Sequence, residues 1–115
     1  MNTGTFSLSL AVSDIDKSLT FYSQMGFTVI DGGHTNPGFP DSETMKWRIL
    51  ENESVKLGLF QGMFEGNILT FNPSDVKSIF EKLKINGNTF VQELNGGNVC
   101  MLQDPDGNML MFEQH

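Results

Sequence analysis

Few side chains in this sequence could do chemistry. Arg48 is the only arginine, and Lys46 and Lys56 lie near it in strand-like stretches. A guanidinium offers a planar fork of donors suited to a carboxylate, phosphate or carbonyl. Salt bridges on a surface strand are the plainer role for the same residues. Glu113 is an isolated carboxylate that could hold a cation, act as a base or pair with Arg48. Met101, Met109 and Met111 form a soft surface that fits irregular apolar guests, or fills gaps where two copies meet. Cys100 is the single cysteine, so no disulfide forms within the chain and no cysteine cluster can hold a metal. His34 falls in a loop and His115 is the last residue, so neither is placed to activate a nucleophile. Asn95-Gly96-Gly97 sits between strand-like stretches and makes no phosphate cradle.

The elements that must position these groups fit one domain of 115 residues. A hydrophobic share of 38% against 18% charged residues excludes a disordered tail and a coiled coil. The net charge of −7 repels phosphate backbones, which argues against nucleic acid and favours a cationic guest over an anionic one. No apolar stretch reaches the ~20 residues of a membrane span, and the opening residues lack the pattern of a secretory signal. A cytoplasmic protein without membrane contact is the expectation.

The sequence repeats its punctuation. Ser13-Asp14-Ile15 opens a helix-like stretch that stops at Gly26, and Ser74-Asp75-Val76 opens another that stops at Asn86-Gly87. Ser13 is the expected cap of the first helix and Asn72, followed by Pro73, that of the second. Ile15, Leu19 and Tyr22 make one apolar stripe; Val76, Ile79, Phe80 and Leu83 make the other. Alternation predicts strands near 5–12, 27–31, 45–51, 55–61, 66–72, 89–94, 98–103 and 108–114, with Asn52-Glu53-Ser54 and Asp104-Pro105-Asp106-Gly107 among the turns. Residues 32–44 form a Gly/Pro-rich loop long enough for a lid, in which Phe39 and His34 could close on a ligand. The pleat then sorts residues into two faces. Trp47, Ile49, Leu57, Leu59, Cys100, Leu102, Leu110 and Phe112 are expected beneath the helices. Ser7, Ser9, Lys46, Arg48, Lys56, Phe60, Thr70, Met101, Met111 and Glu113 are expected opposite, a mixture that suits a pocket.

Two segments carry a resemblance. Residues 7–27, SLSLAVSDIDKSLTFYSQMGF, and residues 104–113, DPDGNMLMFE, resemble the opening and the last hairpin of vicinal oxygen chelate proteins, the glyoxalase/bleomycin resistance/dioxygenase superfamily. The resemblance implies an α+β fold of two βαβββ modules, about 5–62 and 66–115, forming a curved mixed-sheet cup in a single domain, 1–115. It also implies a homodimer. Metal-dependent members set His, Gln or Glu at four inward strand positions, which here are Ser7, Gly58, Ile68 and Met111. Glycine and isoleucine have no donor atom, and a thioether is a poor partner for a hard ion.

The expectation is therefore a protein that binds a small molecule without the usual metal centre. It would resemble the bleomycin-resistance members and sequester an amphipathic or cationic compound. Ser7, Arg48, Lys56, Phe60, Thr70, Met101, Met111 and Glu113 are its expected ligand contacts, with no cofactor. The alternative is an enzyme of the superfamily. It would be a lyase or dioxygenase with a divalent metal held from other positions, or a metal-independent one using Glu113 as base. A folded module whose cup is filled by its own side chains is a third possibility.

Overall fold

The computed structural model describes residues 1–33 and 36–115. His34 lies outside the described residues. Among those described, seven strands and two helices give an α+β fold. The chain divides into two compact units, Ser7–Asn67 and Met1–Phe6 with Ile68–His115.

The first unit holds strand β1 (Thr5–Val12, whose first two residues belong to the other unit), helix α1 (Ile15–Ser23) and strands β2 (Thr28–Asp31), β3 (Lys46–Asn52) and β4 (Val55–Gln61). They pair in the order β2-β3-β4-β1, antiparallel except for the parallel β1–β4 pair. A parallel pair needs a long crossover, and α1 with β2 and β3 supplies it. Ile15, Leu50 and Leu59 are buried together, with Leu10, Val12, Leu19, Tyr22 and Phe27 packed round them. Leu59 has no exposed surface, so truncating it to alanine would cost about 2–5 kcal/mol.

The second unit repeats the plan with fewer strands: β5 (Asn67–Asn72, whose first residue belongs to the first unit), α2 (Val76–Ile85), β6 (Val99–Gln103) and β7 (Met109–Glu113). β5 pairs β7 in parallel and β6 pairs β7 antiparallel. Val76, Ile79, Cys100, Leu102 and Phe112 form its core, joined by Phe71, Phe80, Leu83, Phe90, Leu94 and Leu110. Both predicted helix stripes thus face their own sheets.

The helix ends show what the sequence conceals. The N-caps are Asp14 and Asp75, not Ser13 and Asn72: Asp14 accepts from the amides of Asp16 and Lys17, and Asp75 from that of Ser78. A carboxylate serves this position better than a hydroxyl because it also meets the positive helix end. Gly26 (φ 88°) and Gly87 (φ 92°) stop the helices in the left-handed conformation. The closing bonds match, Phe27 N–H to Tyr22 O in one unit and Asn88 N–H to Leu83 O in the other.

The strand expected at 89–94 is reduced to a single bridge between Gln92 and Met101. The amides of Val91 and Gln92 both donate to the carbonyl of Met101, so two residues oppose one and the ladder cannot continue. No helix among the described residues is long and apolar enough to cross a membrane.

Candidate functional site

Each unit presents a sheet face turned away from its helix. In the first unit the register places Trp47 opposite Phe60 and Ile49 opposite Gly58, while Ser9 and Ala11 of β1 lie beside Gly58 and Phe60. Residues directly opposite share a face, so Trp47, Ile49, Gly58, Phe60, Ser9 and Ala11 form one surface. Lys56 joins it opposite Glu51. Ser7, two residues before Ser9, points the same way and is buried.

This placement corrects the expected face of β3. Treating Asn52-Glu53-Ser54 as a three-residue turn puts Trp47 with Leu59 and Arg48 with the pocket. The observed loop is two residues long, Glu53 (φ 52°) and Ser54, with Asn52 opposite Val55. A one-residue difference in register exchanges the two faces of the whole strand. Arg48 therefore pairs with Leu59, on the same face as Leu50, which is part of the helix-side core. Lys46 shares that face.

Arg48 is also paired where it stands. Its Nη1 and Nη2 donate to both carboxylate oxygens of Asp41 at 2.8 and 2.7 Å, and Nη1 also donates to the Trp47 carbonyl. The pair leaves 17% of the arginine and 27% of the aspartate side chain exposed. The guanidinium hydrogen bonds hold the Asp41 carboxyl below the usual carboxylate range, and those bonds raise the arginine in turn. Gly33 lies over the same guanidinium, where any β-carbon would collide with it. Arg48 thus anchors the loop that follows β2.

Aromatic rings dominate the first face. Trp47 and Phe60 are nearly parallel, 11° apart with centroids at 6.5 Å. Phe64 packs on Phe60 at 5.2 Å, and Phe39 meets Trp47 edge-on at 5.8 Å. Gly58 permits this: a β-carbon there would stand 2.5 Å from Cε2 of Phe60 and 3.3 Å from Cδ1 of Ile49. The Phe60 ring leans over the one residue of the sheet that has no side chain to resist it.

The second unit's face agrees with its predicted parity. Met101 pairs with Met111 and Met111 with Thr70; Gln103 pairs with Met109 and Met109 with Ile68. Ile68 and Thr70 are buried. Glu113 continues the row opposite Val99, with its side chain 42% exposed and its Oε1 3.6 Å from His115 Nε2. The structure therefore brings together Ser7, Lys56 and Phe60 in one unit and Thr70, Met101, Met111 and Glu113 in the other, and turns Arg48 away. Trp47 and Ile49 are the face residues that the sequence assigned to the core.

The metal positions implied by the resemblance do not suit a divalent ion. In the first unit they are Ser7 and Gly58, the latter overlain by an aromatic ring; in the second they are Ile68 and Met111. One hydroxyl and one thioether are the only donors, and neither is a strong ligand for zinc, nickel, manganese or iron. Among the described residues no three His, Cys, Asp or Glu side chains are grouped to hold an ion.

Comparison with known proteins matches the sequence to one family. The profile of the Glyoxalase/Bleomycin resistance protein/Dioxygenase superfamily matches residues 5–112. No curated protein sequence matches the chain. A hypothetical protein from Bacillus halodurans superposes with a TM-score of 0.72 at 16% identity, over 95% of this chain and 91% of its own. Methylmalonyl-CoA epimerase from Streptomyces coelicolor, in complex with 2-nitronate-propionyl-CoA, gives 0.68 at 15% identity, over 98% of each chain. A superfamily member from Vibrio splendidus gives 0.65 at 16% identity, over 96% and 97%. At such identities the structural likeness speaks to the fold alone. With the family profile spanning nearly all of the sequence, the chain belongs to the glyoxalase/bleomycin resistance protein/dioxygenase superfamily.

Proposed function

We propose that this protein binds a small amphipathic molecule on its sheet faces and works without the metal centre of its enzymatic relatives. The observation that carries this is the Phe60 ring lying over Gly58, an apolar surface at a position where metal-dependent members place a ligand. The Trp47–Phe60–Phe64 cluster and the Met101–Met111 row support it, because aromatic and thioether surfaces contact irregular apolar guests without demanding one shape. A net charge of −7 favours a cationic guest. In this proposal Glu113 is a contact at the rim and not a base, since it is half exposed and lies beside His115. We include a homodimer in the proposal. β2 is the outer strand of its unit, and Val29 and Ile30 on it are 40% and 44% exposed. An edge of that kind favours pairing with another chain.

The test is elemental analysis of protein purified without chelator, followed by calorimetry with a panel of glycopeptide and aromatic antibiotics. Saturable heat with metal-free protein is the expected result. Near-stoichiometric zinc, nickel, manganese or iron that is lost in Glu113→Ala would instead show a metal centre that depends on Glu113 and overturn the metal-free reading. Sedimentation as a monomer at micromolar concentration would remove the dimer.

A further inference from the structure

Trp47 carries a polar group that the fold leaves unused. Its indole Nε1 is buried and, among the described residues, has no hydrogen-bond acceptor. An indole N–H can only donate, and native proteins rarely leave a buried donor unpaired. A phenylalanine would present an aromatic face here without a stranded donor.

The surroundings define what would satisfy it. Trp47 and Phe60 offer two flat surfaces only 11° from parallel, so a planar guest suits them better than a branched one. Phe39, the edge-on neighbour of Trp47, is 53% exposed. It belongs to the segment held by the Asp41–Arg48 pair and by the Ser42–Met45 bonds. Of the rings round Trp47 it is the one least enclosed.

We infer that the guest of this site is a planar aromatic molecule bearing a neutral acceptor on its edge, a ring nitrogen or a carbonyl, which takes the hydrogen bond from Trp47 Nε1 as Phe39 moves aside. The inference rests on the binding function proposed above and gives it a ligand class. Catalysis has no part in it.

Quinoline and naphthalene have the same shape and differ by one ring nitrogen, so they isolate the hydrogen bond. Trp47 is the only tryptophan, so its fluorescence and its single indole Nε1–H resonance report on this site alone. Quinoline should bind about tenfold more tightly than naphthalene, as one added hydrogen bond predicts. It should move the indole resonance downfield, while naphthalene should not. Trp47→Phe should lose the preference for quinoline. If that variant does not fold, the resonance of the unaltered protein decides. Equal binding of the two bicycles, an indole resonance unmoved by saturating quinoline, or a quinoline preference that survives in Trp47→Phe would overturn the inference. If the antibiotic panel still gives saturable heat, the broader binding function stands without it.

Discussion

The side-chain carbonyl of Gln61 accepts a hydrogen bond from the backbone amide of Ile15 at 2.9 Å, tying the end of β4 to the first residue of α1. Gln114 does the same for Val76 of α2 at 3.0 Å. Each glutamine satisfies the opening amide that the aspartate cap of its helix does not reach. The contact spans 46 residues in the first unit and 38 in the second.

Gln61→Ala should therefore destabilise the protein by about 1–2 kcal/mol, the cost of leaving a partly buried amide unpaired. Gln61→Glu keeps an acceptor and adds charge beside a helix N-terminus, so it should recover most of that loss. Urea unfolding measures both, with a shifted midpoint and an unchanged m-value. Equal stability of wild type and Gln61→Ala would show that solvent replaces the contact.

The Asp41–Arg48 pair predicts a pH response. The fold lowers the Asp41 carboxyl through its hydrogen bonds to Arg48, so the folded state favours the charged form. Its contribution is fully present above the unfolded value of about 3.9 and is lost as pH falls through the lowered folded value. Asp41→Asn should flatten the acid limb of the stability curve below about pH 5 and leave the alkaline limb unchanged. Arg48→Lys should loosen residues 36–45, because an ammonium cannot make the two-pronged contact. Faster amide exchange in that segment, with the sheet unaffected, is the expected reading.

Gly58→Ala should disturb the aromatic face without unfolding the sheet. The added methyl would press on the Phe60 ring and on Ile49, costing about 1–3 kcal/mol. The displaced ring would alter the surroundings of Trp47, visible as a shift in its emission. Unchanged emission would mean that Phe60 does not lean as described.

Cys100 should be chemically silent in the folded protein. It has no exposed surface, and burial pushes its thiol up from the ordinary cysteine value, which removes the reactive thiolate. A disulfide reagent at pH 8 should label it only as fast as the second unit opens, so denaturant should accelerate labelling steeply. Rapid labelling of native protein would contradict the packing of β6 against α2.

Much of this architecture was legible in the sequence because periodicity and punctuation agree. Ile15, Leu19 and Tyr22 recur at helical spacing, and Gly26 and Gly87 mark the helix stops. The methionine face of the second unit was also readable, since a four-residue turn signal brackets its register. Four features were not. Ser13 stands beside Asp14 and Asn72 three residues before Asp75, all of them capping types, and only the backbone shows that the aspartates cap. The stretch 89–94 carries apolar residues, yet nothing in it signals the doubled opposition of Val91 and Gln92 to Met101. The face of Trp47 and Arg48 depended on whether Asn52 belongs to the turn or to the strand, and composition permits both. Gln61 and Gln114 gave no sign at all, because their spacing differs from that of the helices they serve.

The two-residue loop of Glu53 and Ser54 has an evolutionary corollary. One codon inserted between Asn52 and Val55, with the ladder sliding to match, would swing Arg48 inward and Trp47 outward. A lineage could thereby trade an aromatic lining for a cationic one through a single indel, leaving every other codon intact. Which side chains line this face is then inherited as much through hairpin length as through residue identity.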